Sequence, residues 1–288
     1  VLALGLIAIS CASILIKLCT APALVIATYR LALSSLLCIG IAATRPGQRT
    51  RFAPPQRKLL VISGLFLALH FITWISSLKY TSVASSVVLV QTAPVFVALG
   101  SYLFLGEKPS SAAIAGITLA LAGSLVIGLH DLGRAPGSLL GNLYALLGAV
   151  GAAGYMIAGR KLRAELDTFI YAAAVYSIAA LVVLAATFLS GSPLLGYGTR
   201  DTMLLILIAL VPQLIGHTTF NWALRFLSAT TVSLILLGEP IGASTLAMLV
   251  LDETPGPSTL LGGCIVLAGI ATVLLLEGRA GRKGHESP

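Results

Sequence analysis

Glu239 is a carboxyl group set in an apolar run, Leu-Ile-Leu-Leu-Gly-Glu-Pro-Ile-Gly-Ala from Leu234 to Ala243, with Pro240 directly after it. Charged acids in hydrocarbon cost about 2.5–3.5 kcal/mol on insertion scales. Two readings follow: a substrate or proton site, or a protonated glutamate bonded to a kinked neighbour. Pro240 lacks an N–H and frees a carbonyl one turn back, so backbone acceptors lie close to the acid. Gln213, His217 and Asn221 stand at i, i+4 and i+8. On an α-helix each step drifts by about 40°, so the three share one face. That face must meet a cavity or another helix, because lipid offers no hydrogen bonds. His70 and Trp74 are spaced i, i+4. Trp74 reads as packing, as an interface anchor or as a stacking wall for a ligand. Gln91 lies just before Pro94, where it could bond freed backbone or a substrate. Arg30, also in an apolar run, must snorkel, pair with an acid or bind a substrate carboxylate.

Enzyme chemistry finds no support in these residue types. There is no His-Glu-x-x-His, no Gly-x-Ser-x-Gly and no phosphate-binding Gly-rich loop. His70, His130 and His217 fall on three separate segments and His285 in the tail. Cys11, Cys19, Cys38 and Cys264 form no Cys-x-x-Cys and read as small buried hydrophobes rather than a disulfide or metal set. No metal and no cofactor are expected.

The elements that must position these groups are transmembrane helices. The 288 residues are 57% hydrophobic and 10% charged, with a mean hydropathy of +1.00; soluble chains carry roughly 25% charge. Lipid must therefore be the main solvent. A spanning backbone bonds internally as helix or closed barrel, and continuous Leu-, Ala- and Ile-rich blocks read as helices. Spans are expected at 1–17, 23–43, 59–78, 83–105, 111–129, 138–158, 168–189, 202–224, 229–250 and 258–276. Breakers separate them: Ala21-Pro22, Arg45-Pro46-Gly47, Pro54-Pro55, Lys108-Pro109, Ala135-Pro136-Gly137, Gly191-Ser192-Pro193 and Pro255-Gly256-Pro257. Small residues recur along several spans: Gly116, Ala120 and Gly123; Gly141, Ala145, Gly148 and Ala152; Gly262 and Gly269. They predict close helix packing. Val1 already lies inside an apolar run, so residues are expected before it; no basic segment suggests a signal peptide.

The formal charge of +8 does not point to nucleic acid, because the cations sit in short loops. With the N-terminus inside, thirteen Lys and Arg fall on the cytoplasmic side and four outside (Lys17, Lys79, Arg134 and Arg200). This asymmetry predicts a multi-pass protein of the cytoplasmic membrane with both termini cytoplasmic.

The chain also repeats itself at an offset of 146 residues. Leu78-Lys79-Tyr80 aligns with Leu224-Arg225-Phe226, Ser82 with Ser228, Pro94 with Pro240, Glu107 with Glu253, Pro109 with Pro255, Gly116 with Gly262, and Leu121-Ala122-Gly123 with Leu267-Ala268-Gly269. The expected architecture is an all-α membrane protein of ten transmembrane helices in two five-helix repeats, residues 1–134 and 135–288. Five is odd, so the second repeat is inverted. Such repeats place a substrate site at their interface, with helices broken there; Pro94 and Pro240 are the expected kinks. Glu107 and Glu253 read as turn residues on opposite faces, able to serve as gates.

Trp-x-x-Ser-Leu-Lys-Tyr (Trp74 to Tyr80) and Leu-Gly-Glu-Lys-Pro (Leu105 to Pro109) in the first half are matched in the second. There, Gly-His-x-x-x-Asn-Trp-Ala-Leu-Arg-Phe (Gly216 to Phe226), Leu-Gly-Glu-Pro (Leu237 to Pro240) and Leu-Asp-Glu-Thr-Pro (Leu251 to Pro255) follow in order. Over nearly its whole length the chain resembles the EamA-type permeases of the drug/metabolite transporter superfamily. The resemblance implies ten helices, an inverted repeat, a central cavity and movement of amino acids, drugs or other metabolites. It also gives Arg30 a structural role near one end of that cavity. The resulting expectation is a secondary transporter of a small amphipathic solute, working by alternating access, with Glu239 a candidate for proton coupling. A passive channel or scramblase is the alternative. Expected partners are the solute and the bilayer, the chain acting as a monomer or weak homodimer.

Overall fold

The computed structural model describes residues 1–44, 51–105, 111–131 and 138–283. The breakers at Arg45-Pro46-Gly47, Lys108-Pro109 and Ala135-Pro136-Gly137, the acid Glu107, Arg134, His285 and the expected boundary between residues 134 and 135 lie outside the described residues. Among the described residues all regular structure is helical: α1 (Leu2–Ser10), α2 (Ala12–Leu18), α3 (Ala23–Ala43), α4 (Pro54–Tyr80), α5 (Val83–Val90), α6 (Ala93–Leu105), α7 (Ser111–Asp131), α8 (Ser138–Arg163), α9 (Thr168–Leu189) and α10 (Thr199–Ile208). A π-helix (Ala209–His217) continues α10 into α11 (Thr218–Ala223). Then come α12 (Ala229–Ile235), a 3₁₀ turn (Leu236–Gly238), α13 (Glu239–Leu251) and α14 (Pro257–Lys283).

Six of the described helices are long and apolar enough to cross a membrane; Leu2–Leu18, Ile114–Gly123, Glu239–Leu251 and Pro257–Gly269 are shorter apolar stretches. Large side chains point outward, among them Leu36, Leu65, Phe104, Leu181, Phe188 and Leu249. Arg30, Gln213, Asn221, His70 and Glu239 are buried. This inside-out distribution suits a bundle whose outer solvent is hydrocarbon.

Local chemistry sets the helix ends. Pro54-Pro55, expected as a turn, instead opens α4, where a missing N–H costs nothing. The Ala53 N–H there donates to Gln56 Oε1 at 2.9 Å. Ser82 Oγ accepts from the Ser85 N–H at 3.0 Å to start α5, and Asp167 Oδ1 from the Phe169 N–H at 2.8 Å to start α9. α13 stops at Asp252, whose φ of 53° is left-handed.

Cations close other helix ends. Lys17 Nζ donates to the Thr81 carbonyl and Lys79 Nζ to the Cys19 carbonyl, both at 3.0 Å. In the last turn of α8, Arg160 Nη1 donates to the Leu224 carbonyl at 2.8 Å and Arg163 Nε to the Asn221 carbonyl at 2.9 Å. Terminal carbonyls carry the negative end of the helix dipole, so a cation suits each of them. Glu253 Oε1 accepts the Val83 N–H at 2.5 Å, tying the end of α13 to the start of α5.

In the packing, α4 lies along α8, α7 along α14, α3 along α9 and α1 along the π-helix. α4 also touches α9, and α3 touches the π-helix; α5 meets α13 and α6 meets α12. The small-residue face of α8 is what lets α4 approach. A Cβ added at Gly151 would stand 2.6 Å from the His70 backbone nitrogen, and one at Gly148 3.2 Å from Trp74 Cβ. On α7, a Cβ at Gly123 would meet the Gly262 carbonyl at 2.4 Å. Of the cysteines, Cys19 and Cys38 are buried, but Cys264 is exposed on the outer face, against the expectation that all four are buried.

Gly151→Ala should therefore lower the thermal midpoint of the purified protein by several degrees, overpacking typically costing about 1–3 kcal/mol. Gly40→Ala, inside α3 with nothing within 4 Å of its Cβ, should not lower the midpoint and should raise it slightly, alanine being the better helix former. Equal melting of both variants and the parent would show that α4 and α8 are not in close register here.

Candidate functional site

Two helical spans are interrupted at equivalent places. Between α5 and α6 the chain turns at Gln91-Thr92, and Pro94, second in α6, cannot donate to the Val90 carbonyl. Between α12 and α13 the 3₁₀ turn intervenes, and Pro240, second in α13, likewise withholds its bond from Leu236. The two breaks face each other. Gln91 Nε2 donates to Glu239 Oε2 at 2.6 Å, with both side chains buried. Of the two partners expected for Gln91, freed backbone or a substrate, the backbone is not the one it bonds here; it bonds the Glu239 side chain.

Around this bond lies a cavity lined by Glu239, Gln91, His70, Trp74, His217 and Asn221, with Tyr155, Met156, Phe220 and Ile9 among the other walls. Its free centre, about 50 Å³ for water-sized occupants, has room for a few waters, one water needing roughly 10–15 Å³ on this measure. A metabolite enters only if the walls part.

α4 supplies one wall. Trp74 is 3% exposed, which removes the interface-anchor reading. Its ring stacks on His70 at 5.8 Å between centroids and 6° between planes. His70 Nδ1 lies 2.9 Å from the Gly148 carbonyl. A carbonyl only accepts, so Nδ1 carries a proton there. The His217 ring lies 6.1 Å from His70 and 5.2 Å from Phe71.

The π-helix changes the expected stripe on span 8. Its Pro212 has no N–H, and the local bonding widens to i→i+5. The regular 40° drift therefore fails. His217 and Asn221 line the cavity, whereas Gln213 turns to α3, where its Oε1 accepts from Arg30 Nε at 2.7 Å. Arg30 does not snorkel: it is fully buried, its guanidinium carbon 4.2 Å above the Phe71 ring and 5.5 Å above the Trp74 ring. Arg30 and Gln213 thus stand behind the aromatic wall and not on the cavity surface.

Asn221 anchors a polar network that the sequence reading missed. Tyr155 OH donates to Asn221 Oδ1, and Asn221 Nδ2 donates to Tyr176 OH at 3.0 Å. Tyr176 OH meets Thr218 Oγ1 at 3.2 Å. The available signal was the spacing of Tyr155: it follows Gly148 and Ala152 along the same α8 face and is the first bulky polar residue there. Glu253 lies well outside this cavity lining, in keeping with a turn role.

Tyr155→Phe should leave Asn221 Oδ1 without its donor, a loss of about 1–3 kcal/mol, seen as a lower thermal midpoint. Adding Asn221→Leu should cost less than the sum of the two single changes. Strict additivity would refute the bond.

The sequence profile of the EamA-like transporter family matches residues 1–129 and again 139–275. The chain is 28% identical over 224 residues to the pseudopaline exporter CntI of Pseudomonas aeruginosa (strain UCBPP-PA14), covering 75% of this chain and 73% of that one. The pseudopaline exporter CntI of strain PAO1 is 28% identical over 221 residues, with the same coverage. One protein crystal structure superposes with a TM-score of 0.72 over 97% of this chain and 98% of its own, at 20% identity, a likeness of fold alone.

Proposed function

The chain belongs to the EamA-like transporter family and is a multi-pass membrane transporter, and on that premise we propose that it is an alternating-access carrier of a small amphipathic metabolite across the cytoplasmic membrane. In this reading ten helices cross the membrane as two inverted five-helix repeats with both termini cytoplasmic. Packing supports it. Shifting each element by 146 residues exchanges the α4–α8 pair with the π-helix–α1 pair, and α5–α13 with α12–α6, while α3–α9 and α7–α14 each map onto themselves. The family profile meets the chain twice, once in each half.

The observation that carries the mechanism is the Gln91–Glu239 hydrogen bond. It joins the break of one half to the break of the other, across the cavity. Rocking of the halves about a fixed central site must strain or release this bond as the walls part. Glu239, so placed, exchanges a proton or a substrate contact with each change of state. His70, Trp74, His217 and Asn221 form the remaining contacts with the solute. The named relatives are exporters, and outward movement is the proposed direction.

Counterflow in proteoliposomes, screened with labelled amino acids and small amphipathic acids, tests this. The parent should accumulate label when preloaded with unlabelled solute. Glu239→Gln should insert and fold normally but retain at most about a tenth of the rate. Parental rates in that variant would remove Glu239 from the mechanism. Flux without trans-acceleration would identify a pore instead.

A further inference from the structure

Four buried hydrogen-bonding groups on and behind the aromatic wall are donors without a partner: Nη1 and Nη2 of Arg30, Nε2 of Gln213 and Nε1 of Trp74. They belong together. Gln213 Oε1 holds Arg30 Nε at 2.7 Å, which fixes the guanidinium plane, and the Arg30 carbon sits 5.5 Å above the Trp74 ring. Trp74 is itself a wall of the cavity. Buried polar groups are ordinarily satisfied, and an orphaned cation is the most costly exception. Glu239, the acid of the cavity lining, is bonded instead to Gln91.

Resting on the carrier reading above, we propose that Arg30, Gln213 and Trp74 form a subsite for the carboxylate end of the transported solute. The chemistry of the set is one-sided. Each open group donates, so only an acceptor can complete it, and the fixed positive charge selects an anionic one. With Nε committed to Gln213, the guanidinium offers its Nη1–Nη2 edge, the fork that takes a carboxylate in two parallel bonds. Lysine could supply the charge but not that geometry. The stacked His70–Trp74 pair beside it suits a flat apolar body attached to the acid. As the wall parts to admit a solute, its carboxylate reaches a guanidinium that Gln213 already holds in place, and Glu239 remains free for its own exchange.

The chain has two tryptophans, and Trp222 is exposed and outside the cavity lining. In a Trp222→Phe background, emission therefore reports on Trp74 alone. Purified full-length protein would be titrated with phenylacetate, with phenylacetamide and with inorganic phosphate, following Trp74 emission and the thermal midpoint. Phenylacetate should shift both saturably. Phenylacetamide, the same shape without charge, and phosphate, charged without an apolar body, should each bind at least tenfold more weakly. Arg30→Gln should abolish the preference of acid over amide, Arg30→Lys should keep it at reduced affinity, and Trp74→Phe, which keeps a ring and loses the donor, should weaken phenylacetate several-fold. If Arg30→Gln does not fold, the lysine and phenylalanine variants decide. A purely structural Arg30 would lower the midpoint without changing the acid-to-amide ratio. That result, equal binding of acid and amide or of acid and phosphate by the parent, or no response to phenylacetate overturns the proposal. Counterflow on the same preparation separates the two readings. Acid preference without counterflow keeps the subsite and defeats the carrier, whereas counterflow without acid preference does the reverse.

Discussion

A polar side chain enclosed in a bundle with a hydrocarbon exterior has no water to fall back on, and the rest of this structure is arranged around that constraint. Glu239 meets it through Gln91, Asn221 through two tyrosines, His70 through a glycine carbonyl. None of these bonds stays within one helix. Each ties two elements together, so the requirement to satisfy polar groups also fixes which helices face one another. The aromatic wall follows from the same logic: Trp74 can stack on His70 because the Gly148 carbonyl already holds that ring in place.

The enclosure is also uneven. On the α13 side the acid is bonded, and on the α3 side the guanidinium edge is not. Helix breaks account for the first. Pro94 and Pro240 interrupt the two helical ladders where Gln91 and Glu239 meet, and the two side chains bond each other across the gap between the breaks. The widened π-helical turn accounts for the second, since it turns Gln213 away from the cavity and onto Arg30.

Much of this was legible in the residues. The apolar blocks anticipated helices throughout the described residues, because lipid forces continuous hydrophobic runs, although α4 begins before its expected span and α8 and α14 run on past theirs, and six of the described helices are long and apolar enough to cross a membrane. The matched prolines marked both breaks. The six cavity-lining residues named from sequence stood out because a polar group in an apolar run has few bland explanations. What failed was geometry beyond one helix. Pro212 gave no warning that its surroundings would widen to a π-helix, so three residues read as one face divide between two environments. Tyr155 and Tyr176 look like ordinary aromatic bulk in sequence, and only the fold brings their hydroxyls to Asn221. Pro54-Pro55 misled in another way: the same pair that breaks a helix interior begins one well.

The basic residues at the helix ends carry a consequence for how the bundle comes apart. Lys17, Lys79, Arg160 and Arg163 each donate to the carbonyl end of a neighbouring helix. Reversing any of these charges would set an acid against carbonyls that already carry the negative end of a dipole. A single substitution would then both remove a bond and add a repulsion at a joint between two helices.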